Sequence, residues 1–222
     1  MLFSTIDFVV FFIVVLSIIA AIRYKKFQHV FLLSASYFFF YYSSNYLIIL
    51  LIASTILDFY VGRAIWNTSH ITKKKILLIV SLVGNLGLLG FFKYADFAIL
   101  QFNYLGEQFN LASDIPFLNL ALPIGISFYT FQTISYTVDI YRGKLKPSES
   151  LREFALFVAF FPQLVAGPIV RASEFLPQLR EKLQDKKIKR LISIDGINLK
   201  IEATLMSFGF LKKMFFADNI AP

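Results

Sequence analysis

The chain has 222 residues, of which 57% are hydrophobic, 18% aromatic and 16% charged, with a formal net charge of +8 and no cysteine. A soluble domain carries about 25% charged residues, so the composition points to a polytopic membrane protein. The Lys and Arg residues cluster between apolar runs, which speaks for membrane topology rather than nucleic-acid binding, and the lack of Cys excludes disulfides, thiolate metal ligands and a cysteine nucleophile.

Residues 8–22 are the first apolar run. Asp7 just ahead suits the positive end of a helix dipole. The run lacks a basic leader and a small-residue cleavage site, so it reads as a retained helix. Arg23, Lys25 and Lys26 close it, and such a cluster marks a cytoplasmic loop, with the N-terminus outside. Residues 30–57 carry no charge. One helix of that length would be about 42 Å long, too long for an untilted span. A turn within Tyr41–Asn45 makes it a hairpin and keeps the next basic cluster, Arg63 and Lys73 to Lys75, on the same side as the first. Asp58 reads as an interface carboxylate paired with Arg63, and Trp66 as a headgroup-level anchor. Residues 76–92 are the next span. Gly84, Gly87 and Gly90 offer a face for close helix approach, with Asn85 able to hydrogen-bond across it. Residues 93–119 lean acidic through Asp96, Glu107 and Asp114 and are expected outside. The apolar residues from Phe97 to Phe109 would form an interfacial helix on the outer leaflet.

Ile115 to Val138 is uncharged for 24 residues, enough to cross a hydrocarbon core. A span over 120–140 returns the chain inward. Gln132, Ser135, Tyr136, Asp139 and Arg142 fall on one helical face. Polar groups at membrane depth face protein or a wet cavity, so this stripe reads as a cavity wall. Asp139 and Arg142 could equally form a neutralising pair at the interface. Arg142, Lys144, Lys146 and Arg152 follow as a third basic loop. Phe154 to Val170 is then uncharged for 17 residues but broken by Pro162, Gly167 and Pro168. A full crossing would put the many cations of 171–190 outside, against the charge rule. A re-entrant segment bending at Pro162 or Pro168 avoids this, provided its broken backbone packs on protein or lines a cavity. Gln163 then faces the path or simply marks the break. Residues 173–190 form a basic amphipathic helix along the cytoplasmic face, attracted to anionic lipid. Arg171 either receives a phosphate-bearing donor or anchors the chain on the cytoplasmic side. Residues 191–216 would start at the surface and enter the interior through ATLMSFGFL. The expected fold is all-α, a transmembrane helical bundle with a re-entrant segment and a cytoplasmic amphipathic helix, residues 1–222 forming a single membrane domain.

LPIGISFYTFQTISYTVDIYRG, FFPQLVAGPIVRASEFLPQL and the terminal FLKKMFFADNIAP together resemble the membrane-bound O-acyltransferase (MBOAT) family, and within it the alginate O-acetyltransferase branch more than the branch that transfers D-alanyl groups to teichoic acid. The resemblance is specific from about residue 115 onward; earlier it is one of hydropathy and helix order. It implies transfer of an acyl group, typically acetyl, to a hydroxyl of a cell-surface polysaccharide such as alginate. It also implies a multi-pass protein of the cell membrane, an acyl donor as co-substrate with no bound cofactor, an extracellular polysaccharide acceptor, a possible extracytoplasmic acetyltransferase partner, and membrane lipid around the chain. Family members are longer, and their catalytic histidine lies in a segment of the type W-R-R-W-H, which this sequence lacks. The chain thus resembles the N-terminal part of such an enzyme and is expected to be inactive alone. The substrate-path candidates are Gln132, Asp139, Gln163 and Arg171. No catalytic or metal-binding residue is assigned. His29 and His70 each lie three residues from a lysine in an expected cytoplasmic loop, poorly placed for a general base, and two separated histidines make a poor metal site. The alternatives are a transporter or channel, which broken helices would suit but which the absence of a repeated half disfavours, and a non-catalytic truncated remnant.

Overall fold

In a computed structural model, the described residues are 5–109, 115–123, 125–164, 170–185, 189–192, 199–212 and 215. Among them the chain is helical, without strands. The helices are α1 (Ile6–Ala21), α2 (Lys25–Ser44), α3 (Ile48–Asn67), α4 (Ile71–Gln108), α5 (Ile126–Tyr141), α6 (Leu151–Ala159), α7 (Phe161–Leu164), α8 (Ala172–Gln184) and α9 (Leu199–Leu211).

Thr5 caps α1, its side chain accepting from the Phe8 N–H, and Asp7 sits in the first turn as the dipole favours. The uncharged stretch that follows breaks into two helices within the expected turn region. Asn45 adopts φ 49°, ψ −130°, and a 3₁₀ turn over Asn45–Leu47 leads into α3. The stretches Lys25–Asn67 and Ile71–Gln108 are long and apolar enough to cross a membrane.

α4 corrects the expectation of a short span followed by a separate interfacial helix. It runs unbroken for 38 residues, about 57 Å at 1.5 Å per residue. No proline interrupts 71–108, and nothing else in the segment forces a bend. The reverse correction applies downstream. Of the uncharged stretch from Ile115 only the part from Ile126 is helical, because Pro123 and Gly125 come first. Gly125 has φ 75°, and a Cβ there would overlap the Leu164 carbonyl. Residues 115–119 instead run along α4 and satisfy their backbone on it. The Ile115 N–H donates to Asn103 Oδ1 at 3.0 Å, and the N–H groups of Leu118 and Asn119 donate to the Asp96 carboxylate at 2.8 and 3.1 Å.

α6 is the centre of the bundle. Every residue from Phe154 to Ala159 is buried. Phe154 and Phe157 belong to one apolar cluster with Leu51, Phe59, Ile65 and Tyr136; Leu156 belongs to a second with Val15, Ile19, Leu32 and Phe39. At nine residues, α6 is about 14 Å long and cannot cross a core of about 30 Å. The chain breaks at Phe160 (ψ 107°), with Pro162 in the next short helix, while Gly167 and Pro168 lie outside the described residues. The polar backbone freed by the break is taken up by side chains: the Phe161 N–H donates to Ser36 Oγ at 3.3 Å, and Gln163 Nε2 donates to the Phe157 carbonyl at 2.8 Å. This is how irregular backbone is tolerated in an apolar interior.

Two further expectations change. α8 is amphipathic, but its apolar side, through Ala172, Leu176 and Leu179, is buried on protein rather than laid on lipid. The described side chains of α9, including Ile201, Leu205, Phe208 and Leu211, are exposed rather than inserted into the interior, since no described element packs over them.

Candidate functional site

α5 presents two polar faces, and the structure gives them different neighbours. Thr133 and Thr137 turn towards α3 and α4 and meet a sealed network. Asp58 is 0% exposed. Its Oδ1 accepts from Ser81 Oγ and, at 3.1 Å, from Thr137 Oγ1; its Oδ2 accepts from Asn85 Nδ2 at 2.7 Å. Asn85 Oδ1 in turn accepts from Ser54 Oγ at 2.6 Å and Thr133 Oγ1 at 3.3 Å. The expected Asp58–Arg63 pair does not form: Arg63 is exposed and lies over the Phe59 ring at 5.4 Å. A carboxylate buried between apolar helices needs such donors. The signal was in the sequence. Ser54 and Asp58, Ser81 and Asn85, and Thr133 and Thr137 are each four apart, hence each pair lies on one helix face.

Asn85 therefore does bond across a helix contact, as its sequence setting suggests. Of the three glycines around it, however, only Gly84 is closely approached, by Leu57; Gly87 and Gly90 face open space. The tighter contact is at Gly62, where a Cβ would stand 2.7 Å from Tyr136 Cε1.

The other side of α5 carries the candidate path residues. Gln132 is 1% exposed and its Oε1 has no hydrogen-bond partner among the described residues. An unpaired buried acceptor costs about 1–3 kcal/mol. Tyr136, part of the expected stripe, is instead a core residue: its ring packs at a tilt of 34° against Phe154, centroids 4.2 Å apart, and its hydroxyl accepts the Ser148 N–H at 3.0 Å. Towards the end of α5, Ser135, Asp139, Arg142 and Lys144 line a groove of about 240 Å³, and Arg171 at the N-terminus of α8 completes it. Asp139 and Arg171, distant in sequence, are thus brought together. No ion pair within 4 Å joins Asp139 to Arg142 among the described residues, so the neutralising pair is not made. Three exposed cations converge beside one largely buried carboxylate, with the positive end of α8 adding to the field. Gln163 lies apart from this groove, at the helix break.

His29 is not in a loop. It is buried on α2, its Nε2 at 3.3 Å from the Arg152 carbonyl. His70 is exposed at the start of α4. Among the described residues no group of His, Cys, Asp and Glu could hold a metal ion. Gln28, unremarked in the sequence, is a buried hub. Its Nε2 reaches the carbonyls of Ile19, Ile22 and Ile192, and its Oε1 accepts the N–H groups of Leu191 and Ile192.

An all-α chain with membrane-length apolar stretches and its polar groups sealed between helices has the architecture of a helical membrane protein. Known proteins narrow this. The chain is 34% identical over 194 residues to a Helicobacter pylori protein named peptidoglycan O-acetyltransferase, covering 77% of this chain and 34% of that protein. It is 33% identical to the Pseudomonas aeruginosa protein named probable alginate O-acetylase AlgI, and 32% identical to the Azotobacter vinelandii protein of that name. Both alignments cover 100% of this chain, and 41% and 42% of those proteins. No family model and no solved structure matches. The chain is thus similar to proteins named for O-acetylation of alginate and of peptidoglycan alike, and spans less than half the length of these curated relatives.

Proposed function

We propose that the chain is part of an acyltransferase that moves an acetyl group to a hydroxyl of a cell-surface polysaccharide, alginate or a related polymer. Similarity along the whole chain to proteins named for O-acetylation carries this reading. Residues 1–222 act as one multi-pass unit of the cell membrane, N-terminus outside, that walls the substrate path. The groove at Asp139 and Arg171 lies on the cytoplasmic side, and its guanidinium groups and lysine hold the phosphate of the incoming donor. Gln132, whose buried acceptor has no partner among the described residues, lies further along the same side of α5 and offers a polar contact on the way. Gln163 shapes the path by holding the break after α6. The general base that would activate the acceptor hydroxyl is neither His29, whose ring sits at the Arg152 carbonyl, nor His70. An extracytoplasmic acetyltransferase is the expected partner for the acceptor side.

The test grafts residues 1–222 in place of the matching segment of the Pseudomonas aeruginosa relative and measures acetate on the secreted polymer. The graft is expected to retain acetylation, and Arg171→Glu within it to lower the rate at least tenfold while Lys75→Glu leaves it unchanged. A graft that inserts normally but acetylates neither alginate nor peptidoglycan refutes the reading. The 222-residue chain alone is expected to show no transfer.

A further inference from the structure

Away from the groove on α5, a second concavity lies where α2, α6 and α8 meet the segment 189–192. It measures about 150 Å³. Leu32, Leu156, Leu179 and Leu191 make its walls, and Gln178 and Lys182 stand at its rim. A concavity of this size with mainly apolar walls has room for an apolar guest of about six carbons.

The rim is cationic for a structural reason. Gln28 draws residues 191 and 192 onto α2. Lys25 then bonds the same corner from the other end of the chain: its N–H donates to the Lys189 carbonyl at 2.9 Å, and its ammonium donates to the carbonyls of Asp185 at 2.8 Å and Lys182 at 3.4 Å. Lys182 lines the pocket, and Lys25 and Lys189 are tied to the same corner through these backbone bonds, with Glu181 and Asp185 as the acidic residues of that turn. The Lys182 ammonium has no carboxylate within 4 Å among the described residues. An apolar slot with basic residues at its mouth, on a helical membrane protein, matches a lipid whose head is anionic.

We propose that this corner binds one anionic glycerophospholipid, with a stretch of one acyl chain in the pocket and the phosphate against Lys182 and the lysines beside it. A soluble anion would leave the aliphatic walls unoccupied, and a zwitterionic lipid would bring its own cation to the lysines. Bound there, the lipid ties α8 to α2 and α6 at the edge of the bundle. The inference rests on the membrane reading and not on the acyl-transfer reading.

The chain, purified in a neutral maltoside detergent, is titrated with dioleoyl phosphatidylglycerol or dioleoyl phosphatidylcholine and read by native mass spectrometry; retention in bilayers of each lipid is measured in parallel. The expected result is a single phosphatidylglycerol adduct formed at least fivefold more tightly than the phosphatidylcholine one. Lys182→Glu should weaken it by on the order of tenfold, as loss and reversal of a headgroup-level cation would. Gln178→Trp, which fills the rim without touching the core, should abolish it, and Lys75→Glu should leave it intact. Equal adducts for the two lipids, or equal retention by Lys182→Glu and Lys75→Glu, overturn the proposal alone. Failure to be retained in either bilayer overturns it together with the membrane reading.

Discussion

Asp58 is the residue whose surroundings the structure changes most. Its carboxylate is enclosed by Ser81, Asn85 and Thr137, donors from two other helices. Truncation to Ala would strand these donors without water to replace the acceptor, at about 1–3 kcal/mol each if none re-pairs. Asp58→Ala should therefore lower stability by several kcal/mol, about 3–5 allowing for re-pairing. Arg63→Ala, which removes only an exposed ring contact, should cost under about 1 kcal/mol. Thermal unfolding in detergent separates the two; similar losses would restore the abandoned Asp58–Arg63 pair. The sequence carried part of this information, since polar residues four apart recur on three successive apolar helices. Nothing in one helix says which face will meet which partner, so a nearby Arg in the same chain segment looked like the natural counter-ion.

At the scale of the element, the glycines test how helices approach. Gly62 sits against Tyr136 and Ile140, and Tyr136 is pinned by the Ser148 N–H and by Phe154. It cannot step aside, so Gly62→Ala should push α3 from α5 and cost about 1–3 kcal/mol. Gly87→Ala faces open space and should be neutral or stabilising by up to about 1 kcal/mol through helix propensity. If both substitutions cost the same, the α3–α5 contact is not the tight one. Helix position was legible where composition punctuates the chain. The Ser43–Asn45 polar cluster marks the break between α2 and α3, whereas the late start of α5 after Pro123 and Gly125 was hidden by an uncharged run that reads as a span from residue 120. The length of α4 was less legible, because the shift from apolar to mixed residues near Lys93 looks like a boundary and yet nothing there stops the backbone hydrogen bonds.

For the whole molecule, orientation is the decisive prediction. If α4 crosses the membrane, its ends lie on opposite sides, and the loop charges place Lys75 inside and Glu107 outside. Single cysteines at these two positions in the otherwise cysteine-free chain should label with an impermeant maleimide only at position 107 in intact cells, and at both after permeabilisation. Labelling of both in intact cells would discard the topology. The same frame puts the Arg171 groove and the Lys182 corner on the cytoplasmic side.

Composition and hydropathy pattern alone pointed to an all-α chain of membrane type and to its order of apolar segments, and the quoted motifs carried the resemblance to O-acyltransferases. All of these depend on residues close together along the chain. Only the tertiary structure decided what the polar side chains do. Asp58 proved to be a sealed acceptor, Gln28 a hub and Gln163 a cap for a broken helix, while Asp139 and Arg171 became neighbours across more than thirty residues. The reason is that an apolar interior obliges each buried polar group to find a partner, and the partner is chosen by which helices pack together, a property no single stretch of sequence contains.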